Sequence, residues 1–223
     1  MSHIILTAKP VSRTVDCRAL LPLALQGKTV ADISAIKLAA NLSVSDAFEV
    51  SVDAGVETPK VTFKNTTSSH HYIGFGMTAG QLIVEGDAGD FLGAQLQNGV
   101  LICKGNASAR AGDRMRRGML LIEGNAGDYC GSDMMAGTLG VLGSTGTHLG
   151  YGMKRGTLLL AQAPAPQATW IDCGFHKLPF LNILYKSFKL LDSRFAQISS
   201  QRVQRWMGDM GGLGKGEILV IQS

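Results

Sequence analysis

Glycine returns every nineteen residues through the middle of this chain. Gly80, Gly99, Gly118, Gly137 and Gly156 form one column, Gly86, Gly105, Gly124 and Gly143 a second, and Gly74, Gly93, Gly112, Gly131 and Gly150 a third. A partial fourth, Gly89, Gly127 and Gly146, is interrupted at Ser108. The stretches "LIVEGDAGDFLGAQLQNGVL" from Leu82 and "LLIEGNAGDYCGSDMMAGTL" from Leu120 say nearly the same thing twice. A fixed period of this length is the mark of a stack of similar units, each burying its inward residues against the units on either side.

The residues between the glycines decide what the unit is. Leu82, Leu101, Leu120, Leu139 and Leu158 repeat in step, as do Val84, Cys103, Ile122, Val141 and Leu160, two residues on. Apolar positions two apart predict a strand in each unit. A helical repeat is disfavoured, because each glycine would cost a helix about 1 kcal/mol. At a coil corner the same residue accepts a sharp bend and lets neighbouring turns come close. The fold expected is therefore all-β, a right-handed parallel β-helix with coils of about nineteen residues. Met77, Leu96, Met115, Met134 and Met153 join the interior, with Cys103 and Cys130. Between the inward columns, Ile83, Ile102, Leu121 and Leu159 point the other way, and this outward apolar column must be covered by the rest of the chain or by another protein. Glu85, Lys104 and Glu123 alternate in sign, and Asp87, Asn106, Asn125 and Ser144 predict a polar ladder.

Three segments follow: an N-terminal β-rich cap over 1–60, the glycine-patterned coils over 61–162 and a closing segment over 163–223. A bare end of such a stack would expose unpaired strand edges, so caps are expected. In the closing segment, Phe180, Ile183, Leu184, Phe188, Leu191 and Phe195 fall at helical spacing and predict an amphipathic helix over 178–198 lying on the stack or on a partner. "GEILVIQS" predicts one more strand on the stack.

Composition excludes several functions. A net charge of +4 does not imply nucleic acid. There is no leader pattern and no apolar run of about 18 residues, which predicts a cytoplasmic chain without a membrane span. Cys17, Cys103, Cys130 and Cys173 are too scattered for a metal site, and the histidines do not complete one. "GFGMTAG" lacks the Lys-Ser/Thr of a phosphate loop. The coils carry no dense carboxylate cluster of the kind that cuts polysaccharide. No catalytic constellation and no metal site are expected.

The stepping "EGDAGDFLGAQLQNGVLICKGNASARAG", the lead "GKTVADISAIKLAANLSVSDAFEVSVDAG" and the ending "VQRWMGDMGGLGKGEILV" resemble the glycine-patterned β-helix subunit of formylmethanofuran dehydrogenase and of the bacterial formyltransferase/hydrolase complex. The glycine pattern alone is also similar to the C-terminal domain of glutamate synthase large subunits. The resemblance implies a non-catalytic structural subunit in tetrahydromethanopterin- and methanofuran-linked one-carbon metabolism. It implies sibling subunits of amidohydrolase-like, formyltransferase-like and molybdopterin-enzyme-like type, no covalently bound cofactor, and a methanofuran-type carrier at the level of the complex. The alternatives are the same subunit in an archaeal molybdenum or tungsten dehydrogenase, and a glutamate-synthase-like spacer. Partner contacts are expected at Ile83, Ile102, Leu121, Leu159, Phe180, Leu184 and Phe188. "ARAGDRMRRG" gathers Arg110, Arg114, Arg116 and Arg117, and Lys154-Arg155 falls in the same corner column as Arg116-Arg117. The resemblance implies a carrier with a glutamate-containing tail, which arginine forks suit. These six cations are the expected tail-binding strip.

Overall fold

The computed structural model describes residues 1–55 and 57–222; Val56 and Ser223, in the expected first and last segments, lie outside the described residues. In chain order the elements are β1 (Ser2–Ala8), β2 (Val15–Asp16), α1 (Pro22–Leu25), α2 (Val30–Ser34), β3 (Lys37–Ala39), β4 (Leu42–Ser43), α3 (Val44–Ala47), β5 (Phe48–Ala54), β6 (Lys60–Lys64) and β7 (His70–His71). Then come β8 (Gln81–Glu85), β9 (Val100–Cys103), β10 (Met119–Ile122), β11 (Thr138–Val141), β12 (Thr157–Leu160), β13 (Ile171–Lys177), α4 (Phe180–Phe188), β14 (Arg202–Gly208) and β15 (Gly216–Ile221). The chain is mostly β, and eleven strands form one sheet in the order β13-β14-β15-β12-β11-β10-β9-β8-β6-β1-β5.

The interior of that sheet follows the glycine period. β8 to β12 pair in parallel with Leu82 against Leu101, Leu101 against Leu120, Leu120 against Leu139 and Leu139 against Leu158, nineteen residues apart at every step. Two further lines of hydrogen bonds run alongside. One passes through the bridges Ala88 to Ala107 to Ala126 to Thr145. The other joins the amides of Gly93, Gly112, Gly131 and Gly150 to the carbonyls of Ile73, Leu92, Ala111 and Cys130, each at 2.8 Å. Each unit is thus bonded to the next along three lines, which satisfies the backbone groups that burial would otherwise strand.

Close approach explains the corner glycines. At Gly118, φ is +86° and an added Cβ would lie 2.7 Å from the carbonyl oxygen of Gly99, so no larger residue fits without parting the units. The polar ladder forms as expected: Asp87, Asn106 and Asn125 each accept, through a side-chain oxygen, the backbone N–H nineteen residues on, at 2.7, 2.9 and 2.8 Å.

The inward columns are buried. Leu82, Leu101, Leu120, Leu139, Leu158 and the methionines Met77, Met115, Met134 and Met153 belong to one continuous core, each leucine there contributing about 1.5–3 kcal/mol. Burial pushes the Cys103 and Cys130 thiols up to about 12, which makes them inert packing groups at neutral pH.

The ends differ from the middle. β6 joins β8 with Val61 against Leu82, a step of 21 residues and not nineteen, and β1 lies parallel to β6 and antiparallel to β5. The first segment is less purely β than expected, since it holds α1, α2 and α3. The last two of these open with capping boxes, Thr29 with Asp32 and Ser43 with Asp46. At the other end β15 lies parallel to β12 as one more strand, and β14 and β13 follow it antiparallel.

The outward apolar column is covered by the chain itself. Ile102, Leu121 and Leu159 are fully buried in a second core with Leu181, Tyr185, Phe188, Phe195, Val203 and Leu219. α4 places Leu181, Tyr185 and Phe188 on its buried side, four and three residues apart. The helix is shorter than the 178–198 expected: it ends at Phe188, and a separate 3-10 turn spans Arg194–Gln197. The buried carboxylate of Glu123 accepts from the Ser193 hydroxyl at 2.7 Å and the Arg194 amide at 2.8 Å, tying the chain to the stack where the helix would have continued.

Candidate functional site

Two neighbouring corners of the stack carry the side chains with chemistry to offer. The first is a column of which only Arg110 is among the expected site residues, although its step of nineteen is legible in the sequence: Tyr72, Phe91, Arg110, Tyr129 and His148. All five hold positive φ, between 57° and 62°, which for residues other than glycine is a costly conformation kept only where the surroundings impose it. Tyr72 stacks on Phe91 with ring centres 4.9 Å apart, and Tyr129 on His148 at 4.5 Å. The Arg110 guanidinium bridges the two pairs, 5.9 Å from the Phe91 ring and 4.8 Å from that of Tyr129, and Arg18 caps the column 4.6 Å from Tyr72. Rings and guanidinium planes at strand spacing make a continuous ladder of stacked planar groups.

The structure divides the six expected cations between the two corners. Arg110 and Arg114 stand on the ladder side and are engaged by carboxylates. Asp113, buried, lies 3.5 Å from Arg110 and 3.7 Å from Arg114, and accepts from the Ser132 hydroxyl at 2.6 Å. Arg116, Arg117, Lys154 and Arg155 lie on the next corner. The amides of Arg116 and Arg117 bond the Leu96 carbonyl, and those of Lys154 and Arg155 bond Met134, so the two pairs occupy one column two units apart, about 10 Å at strand spacing. All four are exposed, and among the described residues their side chains form no hydrogen bond or ion pair. A fifth cation, outside the expected set, joins them. β15 takes the rung after β12 with Glu217 against Thr157, which puts exposed Lys215 beside Arg155.

The seven expected partner-contact residues separate too. Ile83, Ile102, Leu121, Leu159 and Phe188 are no more than 2% exposed within this one chain, so they cannot form an open contact surface. Cover by the chain itself is one of the two outcomes the column allows, and the C-terminal segment provides it. Phe180 remains 39% exposed and Leu184 half-buried, next to Ile183 at 74% and Leu190 at 87%. The expected pair of opposite charges, Lys104 and Glu85, meets at 3.5 Å, but Lys104 reaches Asp192 more closely, at 2.8 Å.

Among the described residues no group of three His, Cys, Asp or Glu side chains could hold a metal ion. No helix among them is long and apolar enough to cross a membrane.

By fold and surface this is a repeat-built β protein whose units present ordered strips of side chains. No family model and no curated relative matches it. Among solved structures it is similar, at 29% identity and a TM-score of 0.69, to a chain in the crystal structure of the formyltransferase/hydrolase complex from Methylorubrum extorquens in complex with methylofuran. The match covers 98% of this chain and 100% of that one, so the resemblance read from the sequence holds from end to end.

Proposed function

We propose that this chain is the structural, non-catalytic β-helix subunit of a formyltransferase/hydrolase-type complex in one-carbon metabolism. The observation that carries the reading is the end-to-end similarity to a chain of such a complex, closing segment included. In this reading the stack is a right-handed parallel β-helix of nineteen-residue coils, divided at 1–60, 61–162 and 163–223, and its rigid wall holds sibling subunits in place. Phe180, Leu184 and their exposed neighbours Ile183 and Leu190 are the partner-facing apolar side chains that remain once the chain has covered its own column.

The neighbour's structure contains methylofuran, and the carrier enters here by analogy with it. Arg116, Arg117, Lys154, Arg155 and Lys215 are unpaired cations in one line, suited to an anionic tail lying along the corner. Arg110 and Arg114, already held by Asp113, belong to its margin. Replacing Arg116, Arg117, Lys154 and Arg155 together by serine should raise the complex's KM for the carrier about tenfold or more, from several lost exposed ion contacts of under about 1 kcal/mol each. Assembly should be unchanged. An unaltered KM would sink the strip as a tail site.

The assignment itself is tested by purifying the chain with its natural partners. Partners of amidohydrolase and formyltransferase type, without molybdenum or tungsten, are expected. A metal–pterin partner would move the chain to the dehydrogenase, and a glutamine amidotransferase to glutamate synthase.

A further inference from the structure

α4 carries apolar side chains on two opposite sides. Leu181, Tyr185 and Phe188 are buried in the covering core. Phe180, Ile183 and Leu190 follow one another at spacings of three and seven residues, which sets them on one line along the outer side, and all three are exposed. Lys189 at the C-terminal cap keeps helical backbone angles and so carries Leu190 onto that line. A helix apolar on both sides belongs between two bodies, and this chain supplies only one of them.

The surroundings of this line are cationic. Between Asp172 and Asp192 the chain has no acidic residue, but it has Lys177, Lys186 and Lys189. All three lysines are exposed, and among the described residues their side chains form no hydrogen bond or ion pair. Lys186 interrupts the apolar line itself, three residues after Ile183 and four before Leu190. Beside the line a groove of about 310 Å³ opens between the helix and Ile198–Ser199. Buried Tyr185 lies at its base, fixed by its hydroxyl, which donates to the Ser200 carbonyl at 2.9 Å. Lys186 and Lys189 line it from the helix and Ile198 from across, so an apolar hollow has a cationic lip.

From this juxtaposition we infer that the outer face of α4 and the groove beside it seat an acidic, apolar-faced segment of a sibling subunit. One apolar side chain of that segment fills the groove, others cover Phe180, Ile183 and Leu190, and its carboxylates meet Lys186 and Lys189. The inference rests on reading this chain as a subunit of a complex and adds the chemistry of the partner. Charge selects the occupant. A second copy meeting through the same face would set lysine against lysine with no carboxylate between them. A lipid surface suits an unbroken apolar face, whereas here Lys186 interrupts the line and the groove is concave. Apolar anchors flanked by carboxylates match both the hollow and its lip.

The test uses the complex as purified with its natural partners. A water-soluble carbodiimide joins an amine directly to a carboxylate only where the two touch, and peptide mass spectrometry should find Lys186 or Lys189 linked to Asp or Glu of a partner chain. Ile183→Asp should weaken association about thirtyfold or more. Lys186→Glu with Lys189→Glu should weaken it about tenfold, and that loss should shrink at high salt. Both variants should leave the thermal melt of the full-length chain alone unchanged, because these side chains are exposed in it. Links only to another copy of this chain, or binding to phosphatidylglycerol vesicles that Ile183→Asp abolishes, would overturn the inference. So would partners of the expected type with both lysines unlinked and Ile183→Asp without effect, a result that leaves the proposed function standing. Partners of another type, linked at Lys186 or Lys189, would refute that function and support the surface. A chain that purifies alone would overturn both.

Discussion

The repeating units from β8 to β12 and the closing segment from β13 to β15 are both built of strands, yet they are held in register by different means. In the repeat each strand opens with one half-buried and then three buried residues, and pairs with its neighbour at a constant step. Position along the chain determines position in space. In the closing segment β13 is exposed along most of its length, β14 and β15 run antiparallel, and Leu219 on β15 finds Leu159 on β12 across sixty residues of sequence. Register there comes from what is buried. Leu219 joins the covering core while its neighbours Ile218 and Val220 join the inner one. Repetition yields order without long-range choice, whereas the cover must be selected by fit.

Gly140 is where the two regions meet. It breaks the column Ile83, Ile102, Leu121, Leu159, and a Cβ there would stand 2.5 Å from the ring of Phe195. The glycine makes room for the cover, not for a bend.

Four substitutions or conditions probe that contrast. The largest effect should come from Phe195→Ala, which empties a fully buried ring position and should cost about 3–5 kcal/mol in chemical denaturation. A loss near zero would mean that the cover is not anchored there. Gly118→Ala attacks the repeat, forcing a left-handed residue against the Gly99 carbonyl, and should cost about 3 kcal/mol. Gly140→Leu would complete the apolar column but overpack Phe195, and should cost about 1–3 kcal/mol. Stabilisation by that change would show that cover and coil are less tightly fitted than described.

The smallest effect is in acid. The Thr147 amide and hydroxyl hold Asp128 below its ordinary value of 3.8, so above that value it is ionised in the folded and unfolded states alike and its contribution to stability is complete. It is lost as the pH falls below 3.8 through the folded-state value. Asp128→Asn should therefore flatten a small part of the acid-denaturation curve below about pH 4 and leave stability at pH 7 to 8 with no added slope.

Much of the fold is legible in the amino-acid sequence for a physical reason: Leu82 to Leu158 repeat because each stacks on the last. The β6 strand is not, because its step to β8 is 21 residues and falls outside the period. The helix has its expected place but not its expected length. Leu191 and Phe195 keep helical spacing, but the chain beyond Phe188 is tied to the stack where Glu123 holds Ser193 and Arg194, a contact invisible in a local pattern. At the surface, Arg116, Arg117, Lys154 and Arg155 share a corner as expected, and Arg110 and Arg114 do not join them. The stacked ladder shares the same period as the glycines, but its members differ in chemistry from rung to rung. Tyr, Phe, Arg, Tyr and His read as unrelated until their planes are seen to stack.

The central functional claim is that these stacked units position chemistry performed by other chains. It is tested most directly by assaying formyl transfer and formate release with the purified chain alone and then with its co-purifying partners. No turnover alone and full turnover on reassembly is the predicted result. Turnover by the isolated chain would contradict the account.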